Sequence, residues 1–155
     1  MGLTEEQIIP VKADATDLKY EKEFFDVVVS TDSYNYFGRD ENYLDEKLLP
    51  FVKKDGYIYI VVPGMKKDCH NNIHKELLLS WTPEQLDYIQ TIEYWKNIIS
   101  KSKKSEIISI YEMESNEECW NDWIKCDNEY SKNDKKAIDA GACKYLNFIA
   151  IVLKK

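Results

Sequence analysis

Residues 30–36, Ser-Thr-Asp-Ser-Tyr-Asn-Tyr, bring one carboxylate, Asp32, together with the hydroxyls of Ser30 and Thr31 and the rings of Tyr34 and Tyr36. A carboxylate held in place can take a proton from a hydroxyl or an amine. An aromatic face can stabilise a cation. Asp32 follows an apolar run, so it should have a partner, either a ligand or a helix N-terminus. The plainer use of the two tyrosines is to pack the top of a helix.

Other residue types invite the same test. Asp14 ends the run IIPVKA and is followed by Ala15; an aspartate there can receive hydrogen bonds from a ligand or simply close a turn. Cys69, His70 and His74 could supply metal ligands, but no fourth ligand stands at a recognisable spacing. The two histidines lie in a loop and are weaker candidates for a base. No metal is expected. The four cysteines are widely spaced, without a CxxC pair, which suits idle thiols in a reducing compartment.

The elements that must position these groups follow from the apolar pattern. Residues 8–13 and 24–30 read as two short buried strands, and FDVVVS lacks the polar alternation of a strand with one wet face. Asp40 can cap a helix through NYLDEKLLPFV, with Leu44, Leu48 and Val52 at helical spacing and Pro50 ending or bending it. YIYIVVPG is a third strand. Thr82, Pro83 and Glu84 mark a helix start, and that helix runs toward Ser100. EIISIYEM, 106–113, is a fourth strand, a helix carrying Trp120, Trp123 and Ile124 follows, and YLNFIAIVL, 145–153, is a fifth strand. Strands alternating with helices imply an α/β fold, with a mainly parallel sheet and helices on its faces.

The totals set limits. A chain of 155 residues suits a single domain with a sizeable core. A net charge of −7 leaves little of the basic surface that phosphate backbones attract, which argues against nucleic acid as a partner. No apolar run reaches the roughly 18 to 20 residues of a membrane span, and the start, MGLTEEQ, lacks a basic segment followed by an apolar one. The expected location is the cytoplasm, with no membrane partner.

VKADATDLKY, FFDVVVSTDSYNYF and LLPFVKKDGYIYIVVPG resemble three successive motifs of class I S-adenosylmethionine-dependent methyltransferases of the quinone-biosynthesis type. The resemblance implies a Rossmann-like methyltransferase fold, partial here, with about five strands and the last one antiparallel. It implies S-adenosylmethionine as cofactor and a small-molecule methyl acceptor. By this resemblance Asp14 and the backbone N–H of Ala15 meet the adenine edge, Ser30 and Thr31 sit against the methionine end, and Asp32, Tyr34 and Tyr36 orient the acceptor. Methyl transfer asks mainly for alignment of acceptor, methyl and sulfur.

The family's glycine-rich turn and its ribose-binding acid are absent, and the five glycines lie far apart. The expectation is therefore that residues 1–155 are the carboxyl-terminal part of a methyltransferase domain without its first two strands. In the family order 3-2-1-4-5-7-6, this leaves 4-5-7-6 contiguous and bares the edge of FDVVVS. Such an edge invites a homodimer, or complementation by the missing segment. Two other readings stand beside it. One is a non-catalytic protein-interaction module made from half of the fold. The other, a nicotinamide-binding half, is poorer because there is no pyrophosphate-binding turn.

Overall fold

A computed structural model describes residues 2, 4 and 6–155. The apolar, β-branched runs become strands, since such side chains fit a pleated, packed surface. They are β1 Phe25–Thr31, β2 Val52–Met65, β3 Gln90–Thr91, β4 Glu106–Glu112 and β5 Leu146–Lys154. The sheet order is β1-β2-β5-β4, with the two-residue β3 beside the far end of β2. β1 and β2 are parallel, Val28 facing Ile58 and Ser30 facing Ile60. β5 runs antiparallel to both of its neighbours. Hence β1 to β4 share one direction and β5 alone is reversed, as the resemblance implies for the 4-5-7-6 portion of the family sheet.

The helices are α1 Tyr34–Phe37, α2 Pro83–Leu86, α3 Ile92–Ile99, α4 Asn116–Trp123 and α5 Glu129–Asp139. On one face of the sheet, Ile58 and Ile60 of β2 and Ile149 and Ile151 of β5 form a core with Tyr34, Leu48 and Trp95. On the other, Met65 at the carboxyl end of β2 and Leu146 at the start of β5 join Leu86, Trp120 and Ala137. The rest of that second face is open. Val27 faces Tyr57 and Val29 faces Tyr59 across the β1–β2 ladder, and all four are exposed, Val29 at 69%. Tyr111 of β4 extends the same surface. Among the described residues no strand pairs with the outer edge of β1.

Several expected elements differ. Residues 8–13 form no strand, and Ile9 stands 81% exposed: they pair with no strand among the described residues, and Pro10 lacks an N–H. β1 is covered on one face rather than two. The helix expected after Asp40 is a π turn at Leu44–Leu48 followed by a 3-10 turn at Leu49–Phe51 that carries Pro50, while Asp40 Oδ1 receives the Asn42 N–H at 3.0 Å. The helix expected from Thr82 toward Ser100 breaks in two. Thr82 and Gln85 form a reciprocal cap on α2, Gln90 and Thr91 then pair with Gly64 and Met65 of β2, and Thr91 caps α3. Helix α5 was not expected at all.

Candidate active site

The carboxyl end of β1 is shaped by local bonds. Asp32 adopts a left-handed backbone, φ 49°, which aspartate tolerates better than most side chains. Its N–H donates to the Val61 carbonyl oxygen at 2.9 Å, one step past the strand. The Ser30 and Ser33 hydroxyls lie 2.9 Å apart across the turn, and Thr31 is exposed.

Among the described residues the Asp32 side chain forms no ion pair. Its pKa is raised, first by the crowding of its carboxyl and then by the carboxylate of Asp134 on α5. The residue as a whole is exposed, so solvent screens part of this repulsion. Asp134 is itself raised by burial, which outweighs the hydrogen bonds from Trp123, Trp81 and Asn133; Trp123 Nε1 donates to its Oδ2 at 2.9 Å. Tyr36 stands nearby, 61% exposed, its ring centroid 5.2 Å from that of Tyr88. Burial and then the charge of Asp32 raise its phenol, and the Asn35 amide opposes them. The Arg39 guanidinium lies 4.4 Å from the Tyr88 centroid and is held by Asp87 Oδ2 at 2.7 Å.

These residues make an acidic and aromatic cluster at the carboxyl end of β1. Two carboxylates that form no ion pair among the described residues, in surroundings that favour their neutral forms, can take up a proton. Tyr36 and Asp32 come together as the sequence suggests. Tyr34 does not join them: it is 1% exposed, its hydroxyl has no hydrogen-bond partner among the described residues, and its ring packs against Phe37, Tyr43 and Trp95. Burial, then Tyr43 and Asp45, push its phenol up. Helical spacing turns Tyr34 inward and Tyr36 outward.

Asp14 and Ala15 form an exposed turn. Asp14 Oδ1 accepts the Thr16 N–H and hydroxyl, each at 2.8 Å, and the first of these bonds is the largest influence lowering its pKa. The Tyr43 hydroxyl donates to the Ala15 carbonyl oxygen at 2.7 Å. Because the Tyr43 ring also packs on Phe37 at 4.8 Å, this turn is tied to the helix that follows Asp32. His70 is engaged by Asp68, 2.7 Å from its Nδ1, and His74 stacks on Tyr145. Among the described residues no three His, Cys, Asp or Glu side chains gather to hold a metal ion, and no helix is long and apolar enough to cross a membrane.

Sequence reasoning overlooked Asp134, Trp81 and Tyr88 as neighbours of this cluster. One signal was available: Ser131, Asp134 and Ile138 recur at i, i+3 and i+7 on α5, so an acid shares the inward stripe of a polar helix.

No family model and no curated protein matches the chain. Solved structures do. A protein described as a sarcosine dimethylglycine methyltransferase from Galdieria sulphuraria superposes with a TM-score of 0.67 at 14% identity, over 97% of this chain and 60% of that one. Geranyl diphosphate C-methyltransferase from Streptomyces coelicolor A3(2) gives 0.66 at 10% identity, over 97% and 54%. The [4+2]-cyclase SpnF gives 0.62 at 12% identity, over 97% and 56%. The chain thus spans less than two thirds of the length of these neighbours. The likeness shows a class I methyltransferase fold, present in part, and the cyclase among the neighbours shows that this fold does not fix the reaction.

Proposed function

We propose that the chain serves S-adenosylmethionine-dependent methyl transfer to a small-molecule acceptor, as the carboxyl-terminal portion of a methyltransferase domain. The observation that carries this reading is the sheet β1-β2-β5-β4 with β5 reversed, whose carboxyl end at β1 meets Asp32 and Tyr36. Ligands of open α/β sheets bind at such ends.

When bound, S-adenosylmethionine supplies a methyl group on a sulfonium, with a good leaving group already in place. The residues present fit part of it. Thr16 occupies Asp14 Oδ1 and leaves Oδ2 open, and the Ala15 N–H has no acceptor among the described residues. A carboxylate oxygen beside an amide N–H reads the donor and acceptor edge of adenine. Ser30 and Thr31 lie toward the methionine end, Tyr36 offers its ring to the acceptor, and Asp32 removes the acceptor's proton.

Titration calorimetry tests the reading. The chain alone binds S-adenosylmethionine very weakly, because only the adenine side and part of the methionine side of a site are represented. Binding strengthens when a segment supplying a glycine-rich strand and turn is added, and Asp14→Ala removes the gain. Micromolar binding by the chain alone, or complemented binding indifferent to Asp14→Ala, counts against it.

A second reading, a non-catalytic interaction module, is favoured by one observation: the open apolar face of Val27, Val29, Tyr57, Tyr59 and Tyr111 beside the free edge of β1. Failure of every complementing segment to restore cofactor binding, together with retained association through this face, would favour it.

A further inference from the structure

The loop after β2 folds back against the start of β5. The Lys66 N–H donates to the Tyr145 carbonyl oxygen at 2.9 Å, and the His74 imidazole lies on the Tyr145 ring with centroids 3.7 Å apart and planes 5° from parallel. Beside this stack lies a half-open hollow of about 430 Å³, within the roughly 300 to 1,000 Å³ of small-molecule sites. It is lined by three lysines, Lys66, Lys67 and Lys144, and by one acidic residue, Asp68.

That carboxylate is engaged elsewhere. Asp68 Oδ1 accepts the His70 N–H at 3.0 Å and lies 2.7 Å from the His70 ring nitrogen. Lys144 has a loose contact with Glu76 at 3.4 Å and sits 4.7 Å from the Tyr145 ring centroid. Lys66 and Lys67 form no ion pair among the described residues. Cations gathered in a concave wall focus a positive potential that the net charge of −7 does not suggest.

A second basic hollow, of about 300 Å³, lies at the opposite end of the sheet between Lys103, Lys104 and Lys154. Lys154 pairs with Asp55 at 2.9 Å, Lys155, which also lines it, with Glu23 at 3.5 Å, and Lys104 donates to the Asp45 carbonyl oxygen at 3.2 Å. The difference between the two hollows is in their carboxylates: Asp55 and Glu106 both line this one, while Asp68 alone lines the other.

We propose that the hollow beside Tyr145 binds the oxyanion, carboxylate or phosphate, of a small molecule, with Lys66, Lys67 and Lys144 as its cations and Asn72 as a further donor. It opens beyond the carboxyl end of β2, the same end of the sheet as Asp32. On the proposed function it receives the charged end of the methyl acceptor; the assignment to that molecule rests on that reading, while the oxyanion site does not.

The test is an NMR amide-shift titration of the chain with inorganic phosphate and, separately, acetate, at fixed ionic strength and without cofactor. Saturable shifts at residues 66–74 and 144–145 are expected, at least fivefold weaker binding in Lys66→Gln/Lys144→Gln, and no change in Lys103→Gln/Lys104→Gln. Preference for phosphate or for acetate then assigns the group, and either outcome supports the site. Unsaturable shifts, equal shifts at both hollows, or unchanged affinity in the first variant while its spectrum stays folded would overturn it. None of these outcomes bears on whether S-adenosylmethionine binds at β1.

Discussion

The Tyr43 hydroxyl donates to the Ala15 carbonyl oxygen at 2.7 Å, across 28 positions of sequence. It fixes an otherwise exposed turn to the aromatic cluster under α1. Burial, with the Asp14 charge second, pushes its phenol up to about 12, so the proton stays on the donor across the working pH range. Tyr43→Phe keeps the packing and removes the bond. The expected loss is about 1 kcal/mol of stability, with faster amide exchange confined to residues 13–17; unchanged exchange there would show that the bond does not hold the turn.

Gly38 is a steric requirement. A Cβ at this position runs into the ring of Tyr34, a buried group with no room to retreat. Gly38→Ala should cost about 1 to 3 kcal/mol and lower the melting temperature, although the Gly38 backbone, φ −75°, suits alanine. Gly141, with φ +89° and nothing near a Cβ, tolerates alanine only with backbone strain.

The raised carboxyls of Asp32 and Asp134 predict a pH dependence. Both carboxyls are raised in the folded chain, so the fold binds these protons more tightly than the unfolded chain does. Their contribution is fully present below the ordinary carboxylate pKa and is lost as pH rises through the raised values. Asp32→Asn, which also suits the left-handed backbone, should stabilise the protein at pH 7, by no more than about 1 kcal/mol for so exposed a group. Urea denaturation from pH 7 to pH 4 should show the advantage shrinking; a gain constant with pH would mean that the cost of ionising Asp32 is not its source.

The open face and the free β1 edge predict association. We expect dimers or higher species of the 18.3 kDa chain in light scattering coupled to gel filtration. Val29→Lys with Tyr59→Lys, both at exposed positions, should dissociate them without unfolding. A monomer at high concentration would count strongly against the face being an interface.

The strands were legible because their signal is local. FDVVVS and EIISIYEM are apolar runs bounded by polar turns, and β1 and β4 fall within a residue of the expected positions. Helix limits were less so, because the break at Gln90 and Thr91 comes from a ladder with Gly64 and Met65 that no neighbouring residue announces. α5 hides its buried Ser131, Ala137 and Ile138 among charges. At the site, Asp32 was read as needing a partner, yet the group beside it is another acid contributed from a hundred positions away, which only the folded chain brings near. Tyr34 and Tyr36 looked equivalent until a single helical turn sent one into the core.

β5 lies between β2 and β4 although it follows both in the chain. During synthesis β1 and β2 can zip together as soon as they emerge, but β4 has nothing to bind until residues 146–154 arrive some forty positions later, so nucleation of the sheet's second half must wait on a distant contact. The nascent chain therefore passes through a stage with two unsatisfied strand flanks, and at that stage cellular holdases would have the most to shield.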